Sequence, residues 1–123
     1  MSGNKVSEQE RRHLARFQTW CITSIAYGTN GYASARVLDM SWSGLGISVD
    51  RFDYPRLEML LELNSLGPVR LGIVKSRWGT LRARADVVRA DFKAGCIRLG
   101  LAVHWAEPRY YELVKTLASP HYS

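Results

Sequence analysis

Asp39-Met40-Ser41-Trp42-Ser43-Gly44 stands between an alternating run that ends at Leu38 and an apolar run that starts at Leu45. A carboxylate, a hydroxyl and a glycine at i, i+2 and i+5 suit a turn between two strands, because Asp and Ser bond nearby backbone and Gly accepts unusual φ values. Upstream, Tyr32 to Leu38 alternates Ala33, Ala35 and Val37 with Tyr32, Ser34 and Arg36, the period of a half-buried strand. Before it, Phe17 to Ala26 is rich in β-branched and aromatic residues, so it reads as one strand, and Asn30-Gly31 supplies a tight hairpin turn between the two. Leu45 to Val49 follows as a short strand, and Asp50 to Pro55 as a loop.

Farther downstream the period is mixed. Leu57, Met59, Leu61 and Leu63 alternate with Glu58 and Glu62, and Gly67-Pro68 comes too early for a long helix, so Leu57 to Leu63 is expected to be a strand. Val69 to Ser76 and Thr80 to Ala90 read as strands around Trp78-Gly79, and Cys96 to Trp105 as another after a Lys93-Ala94-Gly95 turn. The last element differs. Pro108 fits a first helical turn, and Tyr110, Leu113, Val114 and Leu117 form an i, i+3, i+4, i+7 stripe that needs a barrel mouth or sheet face to bury it. Strands at this spacing imply an all-β barrel or sandwich carrying one C-terminal α-helix. The expected organisation is a flexible segment 1–16, a single domain 17–118 and a tail 119–123.

A chain of 123 residues is long enough for one hydrophobic core without a metal or disulfide to support it. Cys21 and Cys96 lack CxxC spacing and are expected as buried thiols in strands; no secretory signal precedes them, and the cytoplasm is the expected compartment. No apolar run approaches membrane-spanning length. Seventeen Lys and Arg against eleven Asp and Glu give a net charge of +6, which favours an anionic partner. Arginine dominates the basic set, and its planar fork grips phosphate and guanine edges as an ammonium does not.

Arg12-x-x-x-Arg16 followed, after two strands, by Asp39-x-Ser41-x-x-Gly44 resembles the PilZ domain family of bacterial cyclic di-GMP receptors. Each motif alone is common; their order, their separation and the surrounding β pattern make the pair specific. The resemblance covers nearly the whole chain. It implies a six- or seven-stranded antiparallel β-barrel with a C-terminal α-helix, and a receptor rather than an enzyme. Arg12 and Arg16, with Arg11 as a third guanidinium, are the implied contacts to phosphate or to guanine O6 and N7. Asp39 is expected to accept from the guanine N1–H and amino group, while Ser41 and Gly44 let the ligand approach closely. Trp42 has two readings, a platform for a base or an anchor packed under the turn. Arg89 and Arg98 resemble in placement the extra contacts some family members make to a second ligand molecule, against the plainer reading of solvated strand arginines. The ligand that the resemblance implies is cyclic di-GMP, with no metal and no further cofactor expected.

Rival functions are weaker on the residues. His13, His104 and His121 have no metal-ligand spacing with one another or with the cysteines. Gly44-Leu45-Gly46 lacks the third glycine of a dinucleotide fingerprint, and Ser41 and Ser43 sit in no nucleophile elbow. A basic barrel that binds RNA or single-stranded DNA is the main alternative. It rests on Lys75, Arg77, Arg82, Arg84 and Arg89 along one hairpin, but only Trp78 stands nearby as a stacking platform. Nucleic acid therefore ranks behind the dinucleotide as a partner, and a scaffold that binds no nucleotide ranks behind both. A protein partner or effector machine is expected for signal output. A complete chain is expected from Met1 and the short lead-in, although the pattern also resembles the PilZ domain at the end of bacterial cellulose synthases.

Overall fold

Strand alternation along Gly31–Met40 places Ala33, Ala35 and Val37 in the core and Ser34 and Arg36 in solvent, and the neighbouring strands repeat the pattern. The computed structural model describes residues 17–18, 21–75 and 79–117. Within them the strands are β1 (Phe17–Gln18), β2 (Ile22–Tyr27), β3 (Gly31–Met40), β4 (Gly44–Asp50), β5 (Val69–Lys75), β6 (Gly79–Phe92) and β7 (Cys96–Ala106). The helices are α1 (Pro55–Glu62) and α2 (Pro108–Leu117). All strand pairings are antiparallel. The order β3-β2-β5-β6-β7-β4 returns to β3 through the β3–β4 pairing, so six strands close into a barrel, and β1 lies beyond β2 on the same flank of β3. Closure leaves no unpaired edge among those six.

The interior is filled by residues such as Ile25, Val37, Leu45, Ile47, Ile73, Leu81, Ile97 and Leu101, each at most 2% exposed. Helix α2 completes the core. Its stripe of Tyr110, Leu113, Val114 and Leu117 is buried, as the spacing predicts, and the helix lies against β6 and β1. At its start Glu107 accepts from Arg109 Nε at 2.7 Å and from the Arg82 backbone N–H at 2.8 Å. The Arg109 bond, then the Arg82 N–H, holds the Glu107 carboxyl below the usual carboxylate range.

Four expectations are corrected. Leu57 to Leu63 lies almost wholly in helix α1 and is not a strand: Pro55 occupies the first turn, and Asn64 at φ 55° and Gly67 at φ 73° end the excursion. Its alternation has no core to face, because only Leu57 of the helix is buried while Met59 and Leu63 are exposed. The Phe17 to Ala26 run is divided into β1 and β2, with Cys21 between them bonded through its carbonyl to Val37 N–H at 2.9 Å. Cys21 is buried outside a strand, and Cys96 is only half-buried. At the first hairpin the left-handed residue is Gly28, φ 57°, not Asn30 or Gly31. Gly31 is required for a different reason: a Cβ there would collide with the Tyr27 ring.

Candidate functional site

Two β-bulges build the outer face on which Asp39 stands. On β3, Val37 pairs with Ile47 and Asp39 with Gly46, so Leu38 is an extra residue opposite a single step of β4. On β6, Val87 pairs with Leu101 and Arg89 with Gly100, so Val88 is extra in the same way. Asp39 and Arg89 consequently fall into one lateral row, Gln18–Asp39–Gly46–Gly100–Arg89, running across β1, β3, β4, β7 and β6. At the usual spacing of strands, Asp39 and Arg89 are about 14 Å apart along that row.

Between them stand two glycines. Gly46 and Gly100 pair directly with each other, and Gly46 has little room for a side chain. A Cβ on Gly46 would stand 3.0 Å from Asp39 Oδ1, and one on Gly100 would stand 3.5 Å from Arg89 Cβ. Asp39 Oδ1 accepts from the Gly46 N–H at 3.1 Å, which orients the carboxylate over this bare floor. At the far end Arg89 lies across Gly100 and pairs with Asp91 at 3.5 Å. Arg98 belongs to the next row, between Ser48 and Asp91. The floor thus has an acceptor at one end, the Arg89 side chain lying over buried Gly100 at the other, and half-buried Gly46 between them.

Asp39 and Met40 extend β3, so the turn itself is Ser41-Trp42-Ser43 and Gly44 already opens β4. Ser41 is 2% exposed, and its hydroxyl works within the turn. Oγ accepts from the Gly44 N–H and donates to the Gly44 carbonyl, both at 3.1 Å, while the Ser41 N–H also reaches that carbonyl at 2.8 Å. Tyr110, fully buried on α2, donates its hydroxyl to the Ser41 carbonyl at 2.8 Å. Trp42 stacks on Tyr111 with ring centroids 5.2 Å apart, which gives its packing reading a physical partner. Helix α2 therefore grips the turn from below through Tyr110 and Tyr111.

Ser41→Ala leaves the buried Gly44 N–H without its hydroxyl partner and is expected to cost about 1–3 kcal/mol of stability. Denaturant unfolding checks this; a midpoint equal to that of the parent chain would show that the turn holds without the hydroxyl.

Arg11, Arg12 and Arg16 lie outside the described residues. Asp39, Ser41, Trp42 and Gly44 are gathered at the β3–β4 junction, and Arg89 and Arg98 are brought to the adjoining strands. Sequence reasoning missed Gly46 and Gly100. The available signal was a glycine at each outward position where Leu45, Ile47, Leu99 and Leu101 point inward. Among the described residues no group of three or more His, Cys, Asp or Glu is placed to hold a metal. No helix among them is long and apolar enough to cross a membrane.

A solved structure, the PilZ domain with c-di-GMP of YcgR from Escherichia coli, superimposes on this chain with a TM-score of 0.60 over 85% of this chain and 86% of that one. The fold is PilZ-like. Sequence identity is 14%, so the likeness is one of architecture: the antiparallel barrel and its C-terminal helix. No family model and no curated protein matches the sequence. The PilZ-like barrel places the Asp39-x-Ser41-x-x-Gly44 motif at the β3–β4 junction, with Asp39 half-buried and Ser41 and Gly44 buried beneath it.

Proposed function

We propose that this chain is a receptor domain for cyclic di-GMP. The carrying observation is the row in which Asp39, held outward by the Gly46 N–H, faces Arg89 across the floor formed by Gly46 and Gly100. A flat purine can approach the floor at Gly46 closely, with the Arg89 side chain bordering it over Gly100. Asp39 accepts from the guanine N1–H and exocyclic amino group, an edge that adenine does not present. The backbone turn held by the Ser41–Gly44 hydrogen bonds sets where Asp39 stands. Arg12 and Arg16, with Arg11, come from segment 1–16 to close over the phosphates or a guanine Hoogsteen edge. Arg89 and Arg98 add contacts at the opposite end, and Trp42 contributes by holding the turn to α2. The fold likeness to a PilZ domain solved with c-di-GMP supports the same reading.

Signal output follows from the same connections. The turn beside the ligand is tied to α2 by the Tyr110 hydroxyl, so a shift of the turn on binding changes how the helix sits on the barrel, and with it the surface offered to a cytoplasmic protein partner. The chain binds the dinucleotide without transforming it.

Calorimetric titration with cyclic di-GMP and cyclic di-AMP tests the proposal, with guanine strongly preferred as the expected result. Asp39→Asn keeps an oxygen acceptor for the Gly46 N–H but loses the charge, and is expected to narrow the preference by about tenfold or more. Full retention of the preference would move guanine reading from Asp39 to the arginines. Absence of cyclic di-GMP binding by the parent chain would overturn the function.

A further inference from the structure

The basic residues of β6 do not all serve one surface. Beyond the bulge at Val88, Arg89 joins the glycine floor, whereas Arg82 and Arg84 project from the first half of the strand onto a different face. There, strand pairing sets Ala26, Arg70, Arg84 and Trp105 in one lateral row across β2, β5, β6 and β7. The next row on the same face is Ser24–Gly72–Arg82. These residues surround a depression of about 390 Å³.

Its chemistry is one-sided. Arg70 and Arg84 are direct cross-strand partners and Arg82 is two residues along the same face, so three guanidinia project together. Like charges placed directly opposite destabilise a sheet. Among the described residues none of the three guanidinia forms an ion pair: Glu107, which accepts from the Arg82 backbone N–H and lies near its charge, pairs its carboxylate with Arg109. Arg70 donates to the Gly28 carbonyl at 3.3 Å. Gly72 provides the hollow. A Cβ there would stand 2.9 Å from Ser24 Oγ, and its absence leaves low ground beside Arg82. Trp105 forms the rim, 49% exposed, with the Arg84 guanidinium 5.7 Å from its ring centroid.

We infer that this face binds single-stranded nucleic acid. An aromatic platform in register with a cluster of cations matches how sequence-tolerant single-strand binders work: guanidinia neutralise consecutive phosphates and a base stacks on the indole. A carboxylate-rich protein segment would satisfy the arginines but leave the indole and the hollow unused. A closed barrel also gives such a segment no free strand edge to extend. The face is separate from the glycine floor, so the inference does not depend on cyclic di-GMP binding.

Fluorescence anisotropy of the full chain with a short labelled oligothymidylate, titrated across a salt series, tests the inference. Neutralising three phosphates predicts a log–log salt slope of about −2. Arg70→Gln combined with Arg84→Gln is expected to bring the slope to about −0.7, and Trp105→Leu to weaken binding about tenfold with the slope unchanged. Arg56→Gln, exposed on α1 and outside both faces, serves as the control. Folding of each variant is verified by circular dichroism and thermal melting; should Trp105→Leu not fold, Trp105→His supplies the smaller ring. The inference is overturned if the parent chain fails to bind at low salt, or if the Arg70/Arg84 double variant keeps the affinity and salt slope of the parent. It is also overturned if a glutamate peptide of equal charge binds more tightly than the oligothymidylate, which would assign the face to an acidic protein.

Discussion

Replacing both Arg12 and Arg16 with alanine is expected to lower cyclic di-GMP affinity by about a hundredfold or more. A hydrogen bond to a charged group contributes about 1.5–3 kcal/mol, so each arginine supplies roughly tenfold or more in affinity. Two arginines gripping different atoms of the ligand act nearly independently, and their losses add. Stability is expected to remain within about 0.5 kcal/mol of the parent, because substitutions away from the core rarely exceed that. Calorimetry on the two single variants and the double one provides the reading. If the double variant binds as tightly as the parent, the ligand is held by the barrel surface alone, and Asp39, Arg89 and Arg98 must account for all of the affinity. A loss confined to one arginine would place the other in solvent.

Tyr110→Ala should produce the largest loss of stability of any single change considered. The ring is fully buried where α2 meets the barrel, and removing a large aromatic side chain from a core costs about 3–5 kcal/mol. Domains of this kind have about 5–15 kcal/mol in total, so the variant is expected to be partly unfolded at moderate temperature. Tyr110→Phe separates packing from tethering: it keeps the ring, loses the bond to the Ser41 carbonyl, and should cost about 0.5–1.5 kcal/mol. Under the receptor proposal the phenylalanine variant also binds cyclic di-GMP more weakly, since the turn beside Asp39 has lost its hold on the helix. Urea unfolding of both variants checks the ordering. An alanine variant as stable as the parent would mean that α2 is not seated in the core.

The barrel was legible because its signals are local. Ala33, Ala35 and Val37 alternate within a single strand, and the stripe from Tyr110 to Leu117 lies within a single helix. Helix α1 was not legible, since Leu57, Met59, Leu61 and Leu63 satisfy the strand period and the segment buries only one helical side chain, too few to mark a helical face. The site was half legible. Asp39, Ser41 and Gly44 announce themselves by spacing, but the floor between Asp39 and Arg89 depends on Gly46 meeting Gly100, residues brought together only by the β4–β7 pairing. The same limit applies to the second face: Arg84 is near Arg82 in sequence, whereas Arg70 and Trp105 reach it from other strands.

The extra residues Leu38 and Val88 make the two ends of the glycine floor a matter of odd and even. Counting by twos from Ala33, Ala35 and Val37 arrives at Asp39, and counting by twos from Leu81, Ala83 and Ala85 arrives at Arg89; uninterrupted strands would aim both charges into the core. Deleting an extra residue is therefore a different kind of lesion from flattening its bulge. Loss of Leu38 would make Val37 and Asp39 direct neighbours opposite Ile47 and Gly46, a regular ladder that keeps the carboxylate outward and Met40 inward. A strand that kept Leu38 but paired without the bulge would turn the carboxylate inward and Met40 outward. What the two strands must preserve is the parity of each half, and the extra residues are the places where one residue can be lost without changing it.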